Sequence, residues 1–66
     1  MWTVIFITCS ENAVDAIRRL FRENSILMRT RIISNDNTNE EQCYEILVPY
    51  TEIAIAQDII IEEEIR

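Results

Sequence analysis

The fold of this chain is decided by the stretch CYEILVPYTEI, residues 43–53. Apolar and mixed side chains alternate from Tyr44 to Val48, which predicts a strand with one apolar face. Pro49 has no amide to donate to a sheet and disfavours a helical residue before it, so the strand is expected to end there. Thr51 is a candidate N-cap for a following helix. We therefore predict a strand that passes directly into a helix.

Two further strands and a helix are predicted before this stretch. Residues 2–8 form an apolar run rich in β-branched side chains, which favours a strand. Ser10 is a candidate N-cap for a helix. Asn24 is predicted to end that helix as a left-handed cap. Residues 26–34 are predicted to form the second strand, because apolar side chains recur there at alternate positions. A polar hairpin loop at 35–39 joins it to the third strand.

The element order is therefore βαββα, with the last helix predicted over 52–65. A right-handed crossover makes the first two strands parallel, and the hairpin makes the third strand antiparallel to the second. We predict an α+β fold, a single ferredoxin-like domain over 1–66. It is a two-layer sandwich in which both helices cover one face of a three-stranded sheet. The third strand is expected at the centre of the sheet, and an order with the first strand in the middle remains an alternative.

Composition excludes several classes of function. The net charge of −6 argues against nucleic-acid binding and against adhesion to anionic membranes, since both require a basic surface. The chain has no lysine, glycine or histidine, which removes Schiff-base chemistry and glycine-rich phosphate loops. We expect no catalytic residue, no cofactor and no metal. With no leader and no apolar run long enough to cross a bilayer, the protein is expected to be cytoplasmic.

Cys9 and Cys43 are predicted at adjacent ends of antiparallel strands. A redox pair or a thiolate metal site is conceivable there, although two cysteines without histidine make a poor zinc site. Because cytosolic thiols stay reduced, we predict two unbridged thiols. The loop at 35–41 has a spacing of acidic side chains like that of a calcium loop, but it lacks the required glycine and is expected to be solvated.

Arg29 and Arg31 are candidate anion-binding residues, because they alternate onto the same face of the second strand. Glu45, on the neighbouring strand, gives a simpler interpretation. In that case the arginines form cross-strand charge pairs, each worth roughly 0.2–1 kcal/mol. We predict charge pairing, with anion sensing as the alternative.

The strongest signal is apolar surface that two helices cannot cover. In the first strand, alternation places Trp2, Val4 and Phe6 on one face, with Thr3, Ile5 and Ile7 on the other. The sheet face without helices is then predicted to carry a set of aliphatic side chains: Ile5, Ile7, Leu27, Ile33 and Leu47. An apolar patch beside an unpaired strand edge is typical of an interface, and a chain of 66 residues is marginally stable alone. We predict a homodimer through this face.

The start Met-Trp-Thr-Val and the run Tyr44-Glu45-Ile46-Leu47-Val48-Pro49 before a helix with Ala56, Ile59 and Ile60 resemble a known family. It consists of very short bacterial signal-transducing proteins, ferredoxin-like relatives of the nitrogen-regulatory PII fold. The resemblance implies that fold, and the members of the family have no characterised function. Some members carry the label glutamate decarboxylase, but that reaction needs a lysine for its pyridoxal cofactor, and this chain has none.

Together these patterns predict a small, non-enzymatic binding or regulatory module that acts as a homodimer. An unidentified protein or small-molecule partner is left open. The alternative is a thiol-redox or anion-sensing protein that uses Cys9 and Cys43, or Arg29 and Arg31.

Overall fold

A computed structural model describes residues 1–33 and 42–63 of the chain. The elements are β1 (Trp2–Thr8), α1 (Glu11–Glu23), β2 (Arg29–Ile33), β3 (Cys43–Pro49), a 3-10 turn (Tyr50–Glu52) and α2 (Ile53–Glu62). The predicted α+β class and βαββα order are confirmed. The predicted hairpin loop at 35–39, the calcium-like spacing at 35–41 and the end of the last helix at 64–65 lie outside the described residues.

The sheet has the order β1-β3-β2, and β3 is antiparallel to both of its neighbours. β1 and β2 are therefore parallel to each other. At the centre of the sheet, Ile46 of β3 is paired with Phe6 of β1 and Thr30 of β2. The prediction that the third strand is central is confirmed, and the alternative with the first strand in the middle is wrong.

The core lies against one face of β3, which we call the first face and define by Ile46 and Val48. Both side chains are fully buried. They belong to a single core cluster drawn from the sheet, both helices and the α1–β2 connection: Ile17, Phe21, Ile26, Ile46, Val48, Ala56 and Ile60. Removing each large aliphatic or aromatic side chain from water stabilises the fold by roughly 1.5–3 kcal/mol. The apolar stripe of α1 and one side of α2 meet in this cluster, whereas Ile55 and Ile61 of α2 are exposed.

β1 contains a bulge at Ile5. Val4 is paired with Leu47, whereas Phe6 is paired with Ile46, so two steps along β1 match one step along β3. A bulge inserts one extra residue and shifts the alternation of side chains that follow it. The even-numbered residues of β1 therefore lie on one face of the sheet before Ile5 and on the other face after it.

The bulge makes two predicted face assignments wrong. Trp2, Val4 and Phe6 do not share a face, because Phe6 lies on the first face with Ile46. Ile5 does not lie with Ile7, because it is half-buried and packs against the core cluster. Strict alternation cannot anticipate this shift, which depends on how β1 pairs with a strand far along the chain.

The ends of α1 are set by short polar side chains. Ser10 is the N-cap, as predicted, and its Oγ accepts a hydrogen bond from the amide of Ala13 at 3.2 Å. At the other end Asn24 has a φ of −103°, and Ser25 adopts the left-handed conformation with a φ of 58°. The predicted left-handed Asn24 is therefore wrong by one residue. Its side-chain amide instead donates to the carbonyl of Leu20 at 2.8 Å, an oxygen that also accepts from the Asn24 backbone amide at 3.1 Å.

β2 is shorter than the predicted strand over 26–34. The amide of Ile26 donates to the carbonyl of Phe21 at 2.8 Å, so this residue belongs to the end of α1. Ile26 is buried in the core cluster, while Leu27 is 63% exposed in the connection to β2. The first residues of the predicted strand, from Ile26, therefore form the end of α1 and the connection to β2.

The junction after β3 also differs from the prediction. Thr51 lies in the 3-10 turn, and the N-cap position of α2 is taken by Glu52 without a side-chain hydrogen bond. The prediction that Thr51 caps the helix is therefore wrong. The backbone turns into α2 through the tighter 3-10 geometry, which is common at helix starts. In the described part of the chain, neither helix has the length and apolar character needed to cross a membrane.

Candidate functional site

The candidate site is the side of the sheet opposite the core cluster, which we call the second face. Residues that alternate with Ile46 and Val48 along β3 lie there, together with their partners on β1 and β2. Its described members are Trp2, Val4, Ile7, Arg29, Arg31, Ile33, Cys43, Glu45 and Leu47. It therefore combines aliphatic, charged and sulfur-containing side chains on adjacent strands.

A cation–π contact closes one end of the second face. The guanidinium carbon of Arg29 lies 4.2 Å from the centroid of the Trp2 ring. Trp2 is on β1 and Arg29 is on β2, so the arginine side chain extends across the central strand, where Leu47 is its paired residue. Leu47 is only 8% exposed. The expectation that Leu47 contributes open apolar surface is therefore wrong, because the two larger side chains flank it.

Arg31 is held by a different partner. Its Nε donates to Oε1 of Glu45 at 2.5 Å, and the two residues are directly paired across β2 and β3. The predicted cross-strand charge pair is confirmed for Arg31. Arg29 and Arg31 lie on the same face, as alternation predicted, but one guanidinium contacts an aromatic ring and the other a carboxylate. The anion-binding role of these arginines remains a prediction.

A disulfide joins Cys9 and Cys43 at the other end of the second face. The register brings these residues together: Thr8 is paired with Tyr44, so the next pair along the strands is Cys9 with Cys43, whose Cα atoms are 3.9 Å apart. The prediction of two unbridged thiols is wrong. It relied on the redox state expected of a cytoplasmic protein, whereas the structure joins the two sulfur atoms across the antiparallel strands.

The aliphatic residues predicted for an interface do not lie together as a single set. Ile7 and Ile33 lie on the second face and are 58% and 39% exposed. Leu27 is exposed but precedes β2, and Ile5 packs against the core cluster. The exposed apolar surface of the second face is therefore concentrated near the disulfide, since Ile33 is paired with Cys43.

A groove of about 330 Å³ lies on the helix side of the sheet, between α1 and β2. It is lined by Glu11, Val14, Asp15, Arg18, Thr30, Ile32 and Tyr44. The Tyr44 hydroxyl donates to Oε1 of Glu11 at 3.0 Å. This hydrogen bond, reinforced by the negative charges of Glu11 and Asp15, raises the pKa of Tyr44 above its ordinary value of 10.0. The sequence does not predict this contact, since Glu11 and Tyr44 are distant in sequence and belong to no recognisable motif.

Among the described residues, no group of three or more cysteine, aspartate or glutamate side chains is placed to hold a metal ion. Comparison with known proteins adds no further constraint: no protein-family model, no curated protein and no solved structure matches the chain. The resemblance to short PII-like proteins therefore remains a prediction. The function has to be argued from the residues of the second face.

Proposed function

We propose that this protein is a small, non-enzymatic binding or regulatory module of the cytoplasm that acts as a homodimer through its second face. The observation that carries the proposal is the exposure of Ile7 and Ile33 on the sheet face opposite the core cluster. Ile7 and Ile33 lie on either side of β3, and exposed aliphatic side chains on one face of a sheet are typical of surfaces that bind a protein partner.

The edges of the sheet support the same proposal. In the described part of the chain, β1 and β2 are each paired on one side only, with β3 between them. An edge strand presents unpaired amides and carbonyls that a second chain can satisfy. A partner seated on the second face near Ile7 would lie beside the free edge of β1.

The charge distribution favours a second copy of this chain as the partner. The chain has a net charge of −6, whereas the second face carries Arg29, Arg31 and Glu45. With two arginines and one carboxylate, this face lacks the acidic excess of the whole chain, which would oppose the approach of two identical copies. In a symmetric contact, a Glu45 carboxylate of one copy that lies near an arginine of the other would offset part of the like charge.

The proposed fold is the ferredoxin-like sandwich with both helices against the first face. Its support is the single core cluster, in which buried residues of α1 and α2 accompany Ile46 and Val48. The regulatory role is proposed from the signal-transducing label of the short PII-like proteins that the chain resembles. The absence of lysine and histidine from the chain favours a binding role over a catalytic one.

Sedimentation equilibrium of the parent chain tests the proposal. We expect a mass about twice the monomer value of 7.8 kDa at micromolar concentration. The melting temperature should rise with protein concentration, because association stabilises the folded state by mass action. A monomer mass together with a melting temperature that does not change with concentration would rule out the homodimer.

A further inference from the structure

The Cys9–Cys43 disulfide is accessible from solvent. Cys9 is exposed and Cys43 is half-buried, and the bridge lies where β1 ends and β3 begins. Exposure matters because exchange requires a thiolate to reach one of the two sulfur atoms. Exposed disulfides are correspondingly the labile, regulatory or catalytic ones, whereas structural disulfides resist reduction.

We propose that Cys9–Cys43 is a thiol–disulfide exchange site, reduced by a dithiol protein and formed again by the reverse exchange, in which the disulfide form of such a partner takes back the two electrons. This inference goes beyond the homodimer, and it stands on the bridge and its exposure. If the protein is cytoplasmic, as proposed above, the chemistry of that compartment points the same way. Disulfides of cytosolic proteins are usually transient and either catalytic or redox-sensing.

The exposure difference assigns the order of steps. A thiolate of the partner attacks Sγ of Cys9, the more accessible sulfur, and forms a mixed disulfide. The bond to Cys43 breaks, and its Sγ leaves with the electron pair and takes a proton from water. The partner's second thiol then loses its proton to water and attacks the partner's own sulfur, which releases Cys9 as a thiol. The partner is oxidised to a disulfide, and two electrons and two protons reach this chain.

The surroundings of the bridge fit a protein partner. Ile33 is paired with Cys43, and Ile7 lies on the same face of β1, so exposed aliphatic side chains adjoin the sulfur atoms. The same residues form the proposed dimer surface. Rapid exchange would therefore occur in the monomer, and dimerisation would shield the bridge. This shielding, like the compartment argument above, rests on the proposed function.

Trapping the mixed disulfide tests the order of attack. The oxidised parent chain is treated with reduced glutathione, quenched with acid, alkylated and cut with trypsin. Cleavage after arginine separates peptide 1–18, which contains Cys9, from peptide 32–66, which contains Cys43. We expect glutathione on peptide 1–18 and the alkylated thiol on peptide 32–66. A bridge that stays oxidised in excess glutathione would overturn the proposal and identify a structural staple.

Two single variants supply the matched comparison. Cys43→Ser leaves only Cys9, and Cys9→Ser leaves only Cys43. Because access controls thiol reactivity, we expect Cys9 to react with oxidised glutathione at least about tenfold faster than Cys43. Equal rates in folded variants, checked by circular dichroism, would contradict the assigned order. The parent chain keeps the test valid if either variant fails to fold.

The concentration dependence of the reduction separates this proposal from the dimer. If the second face pairs, glutathione should reduce the parent chain more slowly as protein concentration rises. Reduction at a rate independent of concentration would count against the dimer but would support exchange at the bridge. A protein that sediments as a dimer, but whose bridge resists glutathione even at high dilution, would support the dimer and count against exchange at the bridge.

Discussion

Ile46 and Leu47 are neighbours in sequence and lie on opposite faces of the same strand. Ile46 is fully buried in the core cluster, where residues from both helices and the sheet surround it. Leu47 is also buried, but it is flanked by Trp2 and Arg29 on the neighbouring strands. The first face is therefore closed by many apolar contacts, whereas the second face is closed by a few specific pairs. This difference indicates that the first face maintains the fold and leaves the second face available for function.

Ile46→Ala is expected to have the largest effect. The substitution leaves a cavity at the centre of the core cluster and should reduce the free energy of unfolding by about 2–5 kcal/mol. A domain of this size has little stability in reserve, so the variant is expected to be mostly unfolded at room temperature. Ile46→Val should cost about 0.5–1.5 kcal/mol and keep a measurable transition in urea.

Leu47→Ala is the matched control on the other face. It should lower the free energy of unfolding by less than Ile46→Ala, because Leu47 lies outside the core cluster. A larger loss for Leu47→Ala in the same urea experiment would contradict the distinction between the two faces.

The sequence predicts the first face well and the second face poorly, for a physical reason. The alternation at Ile46 and Val48 and the helical periodicity of α1 both reflect which side chains are buried. Each of these patterns is visible within its own segment of the sequence. The second face depends on register between distant strands. The bulge at Ile5 shifts the parity of β1, and this brings Trp2 to the same face as Arg29. Some bulges are marked in the sequence by a glycine, but this chain has none, so no local pattern shows where the shift occurs.

The disulfide was not predicted for a different reason. Cys9 and Cys43 were expected at adjacent strand ends, so the geometry that joins them could be predicted. Their oxidation state could not be derived from the sequence, because it also depends on the compartment. The contact between Tyr44 and Glu11 was unpredictable for the opposite reason: it needs the exact packing of α1 over the sheet.

The Trp2–Arg29 contact should contribute a smaller effect. In a double-mutant cycle with Trp2→Phe and Arg29→Ala, the coupling free energy is expected to be about 0.5–1 kcal/mol, typical of an exposed cation–π pair. Urea unfolding of the four proteins measures it. A coupling indistinguishable from zero would indicate that Arg29 does not help to cover Leu47.

The Arg31–Glu45 pair is expected to contribute less again. Its arginine is exposed, so solvent screens the attraction, and the coupling should be at or below about 0.5 kcal/mol. A cycle with Arg31→Ala and Glu45→Ala, measured at low and high salt, checks this value. Salt should weaken the coupling further, and a salt-independent coupling above 1 kcal/mol would show that the pair is desolvated, as in a covered interface.

The contact between Tyr44 and Glu11 should give the smallest effect, visible only at alkaline pH. The raised pKa of Tyr44 means that folding favours its protonated form. The resulting stability is fully present below the unfolded pKa near 10.0 and is lost as pH rises through the higher folded pKa. In a Tyr50→Phe background, absorbance titration should show that Glu11→Ala lowers the pKa of Tyr44. An unchanged titration curve would contradict the assigned hydrogen bond.

The central claim, that the second face binds a second copy, is tested most directly by sedimentation equilibrium of two charge variants. Ile7→Glu and Ile55→Glu place the same carboxylate at residues of similar exposure, 58% and 54%, but only Ile7 lies on the second face. Ile55 lies on α2. We expect Ile7→Glu to sediment as a monomer, because a desolvated charge opposes the contact twice in a symmetric dimer. Ile55→Glu should remain a dimer. If both variants keep the dimer mass, or if only Ile55→Glu becomes monomeric, the second face is not the dimer interface.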